Sequence, residues 1–168
     1  IQNNLNEIII MLNYWDSIER YAELQRLYPQ FYFLKRRLVE NIIIRTSALI
    51  ENNSRTKFNV LKPINRILSE NNFKTKHTQV KEIEAKIKLK MNEPVAEMLF
   101  YVRDKYLAHN DLNSRHSVDG IASHEIRSFV EELLKLINQV CEVIDVPASR
   151  LVKHANNSMD NIFEKLKK

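Results

Sequence analysis

Apolar residues recur along this chain at steps of three and four, the spacing that lines one face of an α-helix rather than alternate faces of a strand. From Leu5, the residues Ile8, Ile9, Leu12, Trp15, Ile18 and Ala22 keep that spacing, and Pro29 limits the run, so a first helix is predicted over about residues 3–27. A second run, Phe31, Leu34, Leu38, Ile42, Arg45 and Leu49, carries a further row at Val39, Ile43, Thr46 and Ile50. So wide a face belongs to a central helix packed on several neighbours. The polar stretch ENNSRTKFN ends it, and a short helix over residues 60–70 follows, with Pro63 confined to its first turn. After a polar connection at 71–76, Thr78 is placed to cap a narrower helix through Val80, Ile83, Ile87 and Met91.

The next helix has Asn92 as its expected cap, Glu93 set against the helix dipole and Pro94 in the first turn. Val95, Met98, Val102, Tyr106 and His109 form one face of it, which turns His109 inward. The polar text NDLNSRHSVDG, holding the only glycine, ends this helix near Asn110 and reads as a surface loop. Ser123 is the expected cap of a long helix through Ile126, Phe129, Val130, Leu133, Ile137, Val140, Cys141 and Ile144, stopped by Pro147 and packed on the preceding helix. In the tail, Met159, Ile162, Phe163 and Leu166 make a short amphipathic helix, which periodicity alone leaves free to dock on the bundle or on a second subunit.

Composition fits this pattern. With 168 residues, 44% of them hydrophobic, one glycine and four prolines, the chain has enough apolar material for one core and few residues suited to tight hairpins. The expected fold is all-α, an up-and-down bundle of about four to five main helices with a short C-terminal helix. Residues 1–168 form a single domain, and 148–168 are its terminal extension. The net charge of +5 is compatible with a polyanionic partner without specifying one. Lys35, Arg36 and Arg37 can hold phosphate but are read first as a solvated turn, and Lys81, Lys86, Lys88 and Lys90, mixed with Glu82 and Glu84, as an exposed face.

Cys141 is the single cysteine, so no intrachain disulfide exists; a packed thiol and a reducing, cytoplasmic setting are expected. The apolar run Ile8–Leu12 is too short for a membrane span and lies close to Glu7, Asp16 and Glu19, so no membrane partner is expected. The chain begins at Ile1, which leaves room for an upstream segment.

Candidate chemistry concentrates in the stretch EPVAEMLFYVRDKYLAHND. Arg103 offers a planar fork of donors matched to phosphate, and His109 titrates near neutrality, so together they have the parts for phosphodiester chemistry. On a regular helix the two would stand about 120° apart around the axis and about 9 Å along it, a geometry completed more easily by two copies of the helix than by one. The simpler alternative is a buried, hydrogen-bonded His109 and an Arg103 paired with a carboxylate. His116, Asp119 and His124 do not have a standard zinc spacing, and neither metal nor cofactor is expected. Ser123 beside His124 is explained by capping rather than by nucleophilic chemistry.

The segment RDKYLAHND resembles the signature of HEPN proteins (higher eukaryote and prokaryote nucleotide-binding domains), with Arg103 and His109 on the motif's Arg and His, Asp104 on its polar neighbour, and Asn110 and Asp111 completing a common form. The form LAHND, with the preceding NIIIRTSALIENNSRTKFNVLKPINRIL, looks most like the abortive-infection branch. The resemblance implies a homodimer whose two motifs converge in a cleft and act as a metal-independent endoribonuclease, with a toxin or antiviral-defence role. It implies RNA as substrate, Arg103 and His109 as catalytic residues, Asp104 and Asn110 as their supports, and an antitoxin or other regulatory protein as a further partner. Some members of the family only bind nucleotides or partners, and a catalytically silent helical module is the alternative.

Overall fold

The computed structural model describes residues 1–51, 59–107, 122–148 and 163–165, apart from the side chains of Leu24, Gln25, Tyr106 and Leu107. Every regular element among them is helical. They are α1 (Gln2–Arg20), α2 (Ala22–Leu27), α3 (Gln30–Ile50), α4 (Leu61–Ser69), a 3-10 turn (Asn71–Lys76), α5 (His77–Lys90), α6 (Pro94–Val102), a π-helical turn (Arg103–Leu107) and α7 (Ser123–Val143).

The wide apolar face predicted for the second run makes α3 central, packed against both α1 and α6. Helix α7 lies against α1, α5 and α6, so α1, α3, α6 and α7 close a ring, with α5 and α4 stacked outside α7. Leu5, Ile8 and Leu12 of α1, Ile42 and Ile43 of α3, Leu99 of α6, and Val130 and Leu133 of α7 meet inside it and are fully buried. Arg127 on α7 donates to Asn13 Oδ1 at 2.8 Å and to Asp16 Oδ2 at 2.6 Å, adding a polar tie to the α1 seam. Gln2 Nε2 donates to Asn138 Oδ1 at 2.9 Å and to Cys141 Sγ at 3.3 Å. Cys141 is thus the packed thiol expected, and burial raises its pKa.

Several boundaries differ from the sequence expectation for identifiable reasons. The first helix breaks at Tyr21 (φ −107°, ψ 46°), and the bend lets α2 fold back on α3, which a straight helix through residue 27 would not do. Thr78 caps nothing, because α5 grows directly out of the 3-10 turn with Lys76 at its N-cap. Pro94 forces Glu93 into an extended conformation (ψ 155°), so Glu93 rather than Asn92 becomes the N-cap of α6. Ala122 rather than Ser123 is the N-cap of α7. That helix ends before Pro147 is reached. Asp145 adopts the left-handed conformation (φ 57°), Val146 N–H donates to the Cys141 carbonyl at 2.8 Å and Asp145 N–H to that of Glu142 at 3.2 Å, which is a Schellman stop with aspartate where glycine is usual. Leu34, expected on the apolar stripe of α3, is 45% exposed. Most of the predicted tail helix lies outside the described residues, but Phe163 is buried against Ile18, with Tyr21 and Phe31 around it, so this part of the tail docks on the bundle.

One charged cluster links α5, α6 and α7. Lys90 Nζ pairs with Glu93 at 2.9 Å and with Glu132, and it lies 5.9 Å from the Phe129 ring centre. Burial opposes the ammonium charge, yet the hydrogen bonds to Glu132 and Glu93 outweigh it and raise the Lys90 pKa, while the same bond to Lys90 lowers that of Glu132.

Two stability measurements follow from this packing. Leu99→Ala is expected to cost about 2–5 kcal/mol in urea denaturation, whereas Leu89→Ala, at a site 72% exposed, should stay within about 0.5 kcal/mol. Because the folded state lowers the Glu132 pKa, its contribution is present above the ordinary glutamate range and is lost as pH falls through the lowered value. Glu132→Gln should therefore flatten the acid limb of the stability profile below about pH 5, and an unchanged limb would show that the pair contributes nothing in solution.

Candidate functional site

The site begins where α3 ends. Its last turn buries Thr46, Ser47, Leu49 and Ile50, and Ser47 Oγ donates to the Leu99 carbonyl at 3.3 Å, which fixes α6 alongside. Glu51 follows as the C-cap residue, extended (ψ 116°), with its N–H donated to the Ser47 carbonyl. Asn59, 3% exposed, locks this exit: its Nδ2 donates to the Glu51 carbonyl and its Oδ1 accepts from Leu61 N–H at 2.6 Å, while Val60 N–H donates to the Leu49 carbonyl at 2.8 Å. The end of α3 and the start of α4 are therefore held as one unit.

Opposite this unit, α6 widens into the π-helical turn at Arg103. The buried positions of α6 are Ala96, Leu99 and Val102, while Val95 and Met98 of the predicted stripe are only half-buried against the core. Arg103 leaves the helix toward α3. Its Nη1 donates to Glu51 Oε2 at 3.0 Å and its Nη2 to Glu51 Oε1 at 3.5 Å, a fork-to-carboxylate pair, while Nε donates to Asp104 Oδ1 at 2.7 Å. The guanidinium also lies 5.2 Å from the Phe100 ring centre. The hydrogen bond to Asp104 is the largest influence on Arg103; despite partial burial, it and the Glu51 charge raise the pKa further, so the group is a permanent cation. Beside it, Lys105 Nζ donates to Tyr101 Oη at 2.8 Å.

Of the residues singled out in the sequence, Arg103 and Asp104 are brought into direct contact; His109, Asn110 and Asp111 lie outside the described residues, as do His116 and Asp119. The paired-carboxylate environment anticipated as the simpler reading of Arg103 is present. The turn over Arg103–Leu107 is π-helical rather than the regular α-helix expected from the sequence. Such turns are wider than an α-helical turn and occur often at functional sites. No group of three or more His, Cys, Asp or Glu suited to a metal is present among the described residues. Among the same residues, no helix is long and apolar enough to cross a membrane.

Residues 3–165 match the HEPN_AbiU2 family model, described as AbiU2. The chain belongs to this HEPN family. The match runs through the whole bundle and includes the Arg103–His109 segment, so the domain is of the abortive-infection type. Neither a curated protein nor a solved structure matches the chain.

Sequence reasoning missed one member of the HEPN domain's Arg103 cluster. Glu51 opens the polar stretch ENNSRTKFN and reads as a loop residue, because nothing within 50 residues marks its partner. The only local signal is its place as the first carboxylate after the apolar run ending at Ile50. A double-mutant cycle of Glu51→Gln and Arg103→Gln should give a coupling energy of about 1 kcal/mol in unfolding free energy, since both side chains are mostly shielded from water. Additive effects would show that the forked pair does not form in solution.

Proposed function

We propose that this HEPN domain is a metal-independent endoribonuclease of abortive infection that acts in the cytoplasm as a homodimer on RNA, under the control of an antitoxin or other regulatory protein. The reading is carried by the HEPN match over residues 3–165, within which Arg103 stands oriented on its π turn by two carboxylates. In this mechanism the RNA 2′-hydroxyl attacks its own phosphorus. The 2′-oxygen to phosphorus bond forms, the bond to the 5′-oxygen of the next nucleotide breaks, and the products are a 2′,3′-cyclic phosphate and a 5′-hydroxyl. His109 moves the proton, and Arg103 stabilises charge on the non-bridging phosphate oxygens. Before RNA enters, Asp104 holds the guanidinium in plane through Nε, and Asn110 orients His109. Two copies of the Arg103–His109 segment facing one another complete the cleft.

One observation favours the second reading, a catalytically silent HEPN module that binds a nucleotide or protein. Three of the five N–H groups of Arg103, one on each nitrogen, already donate to carboxylates, so a phosphate gains a two-pronged grip on the fork only by displacing at least one of them. Asp104, whose side chain is 63% exposed, is the partner more easily released.

Purified protein incubated with RNA in EDTA separates the two. Cleavage should yield cyclic-phosphate ends and fall about 10²- to 10⁴-fold in Arg103→Ala and in His109→Ala. Cleavage unchanged in both variants would sink the mechanism. A protein that cuts no RNA pool yet copurifies with a nucleotide or a protein would establish the silent module instead.

A further inference from the structure

The bend between α2 and α3 exposes side chains that a core would ordinarily absorb. Phe31 turns inward onto Phe163, with ring centres 5.2 Å apart, but Leu27, Tyr32 and Phe33 are 70%, 55% and 64% exposed. The Tyr32 and Phe33 rings stand edge to face, 6.0 Å apart at 78°, each presenting apolar surface to solvent. One turn further along α3 stand Arg36 and Arg37, 60% and 80% exposed, which share the single carboxylate of Glu40. One carboxylate cannot neutralise two guanidiniums, and exposed pairs of this kind are weak enough for a phosphate to compete. Residues 20–37 hold five cations and one acid, and a net charge of two remains when the flanking partners Glu19 and Glu40 are counted.

The direction of this surface matters. Phe33 and Glu51 are eighteen residues apart, five full turns, so they stand on one side of α3 about 27 Å from each other. Arg37 and Ile44 lie within about 40° of the same line. Ile44 is exposed along it, Ser47 is buried on its α6 side, and it ends at the carboxylate that holds Arg103.

We propose that the α2–α3 elbow binds single-stranded RNA, with bases stacked on Tyr32 and Phe33 and phosphates held by Arg36 and Arg37, and that the outer face of α3 leads the strand to Arg103. Exposed rings interleaved with cations are the chemistry that recognises unpaired bases on a charged backbone. A duplex keeps its bases stacked internally and offers the rings nothing. Lipid or protein partners suit the surface less well, because its apolar area is small and is interrupted by guanidiniums on the same turn. The proposal deepens the ribonuclease reading by specifying its substrate as single-stranded and longer than the catalytic cleft alone requires.

The test uses the full chain carrying His109→Ala, so that bound RNA stays intact, and a fluorescent twenty-nucleotide oligouridine, free or annealed to its complement. The free strand should bind more tightly than the duplex. Phe33→Ser combined with Tyr32→Ser should weaken binding about tenfold. Arg37→Gln should weaken it and reduce the salt dependence by about 0.7 in the slope of log K against log salt. These positions are on the surface, and circular dichroism confirms that the variants fold. Equal affinity for strand and duplex, or wild-type affinity in the ring and Arg37 variants, overturns the proposal. So does loss of anionic-vesicle binding or of self-association in those variants with RNA affinity unchanged. Cleavage by the unmodified chain is scored separately. If it cuts RNA while the elbow variants bind normally, the track fails and the ribonuclease stands; if it cuts nothing yet binds the strand through Phe33 and Arg37, the reverse holds.

Discussion

Burial of one side of α3 is the constraint from which the other features follow. Val39, Ile42, Ile43, Thr46, Leu49 and Ile50 must all reach the interior between α1 and α6, and that fixes the rotation of the helix about its axis. With the rotation fixed, Glu51 emerges at the seam with α6 and meets Arg103, while Phe33 and Arg37 are turned to solvent. A helix with a narrower apolar stripe could roll by tens of degrees and lose both placements. The polar contacts at its end, Ser47 to Leu99 and Asn59 to Glu51, add direction to what the apolar face has already oriented.

Arg103 shows how a scaffold interaction and a chemical one can share a residue. A guanidinium shielded from most of its water requires partners, and Glu51 and Asp104 meet that need on two edges while Phe100 lies against its face. The arrangement fixes the side chain before any substrate arrives, which is what electrostatic stabilisation of a phosphate demands. It also places two negative charges beside the cation, so a polyanion takes a two-pronged hold only if one carboxylate moves. Asp104, adjacent in sequence and open to water, is suited to that movement; Glu51, anchored by its backbone at the α3–α4 junction, is not.

Much of the fold and part of the site were legible without coordinates. Steps of three and four between apolar residues, with almost no glycine, determine an all-helical domain, because only a helix turns that spacing into one buried face. The RDKYLAHND segment marks the HEPN character and singles out Arg103 with its neighbour Asp104, and the match over residues 3–165 bears out that family. Caps were less legible. Asn92, Thr78 and Ser123 all have capping side chains, yet backbone geometry set by Pro94, by the 3-10 turn and by Ala122 takes the N-cap elsewhere.

Tertiary structure alone decided what meets what. The pairing of Glu51 with Arg103 spans 52 residues, and no local pattern encodes a contact that depends on how α3 and α6 pack. The π turn at Arg103–Leu107 and the left-handed stop at Asp145 are likewise settled by hydrogen bonds and packing rather than by propensity, since Asp145 stands where a glycine would have announced the turn. Periodicity put Leu34 inside, and the assembled bundle leaves it 45% exposed. Sequence thus determined which residues want burial, because that is a property of each side chain and its spacing. Only the assembled bundle determined which of them obtain it, because the interior has room for one side of each helix.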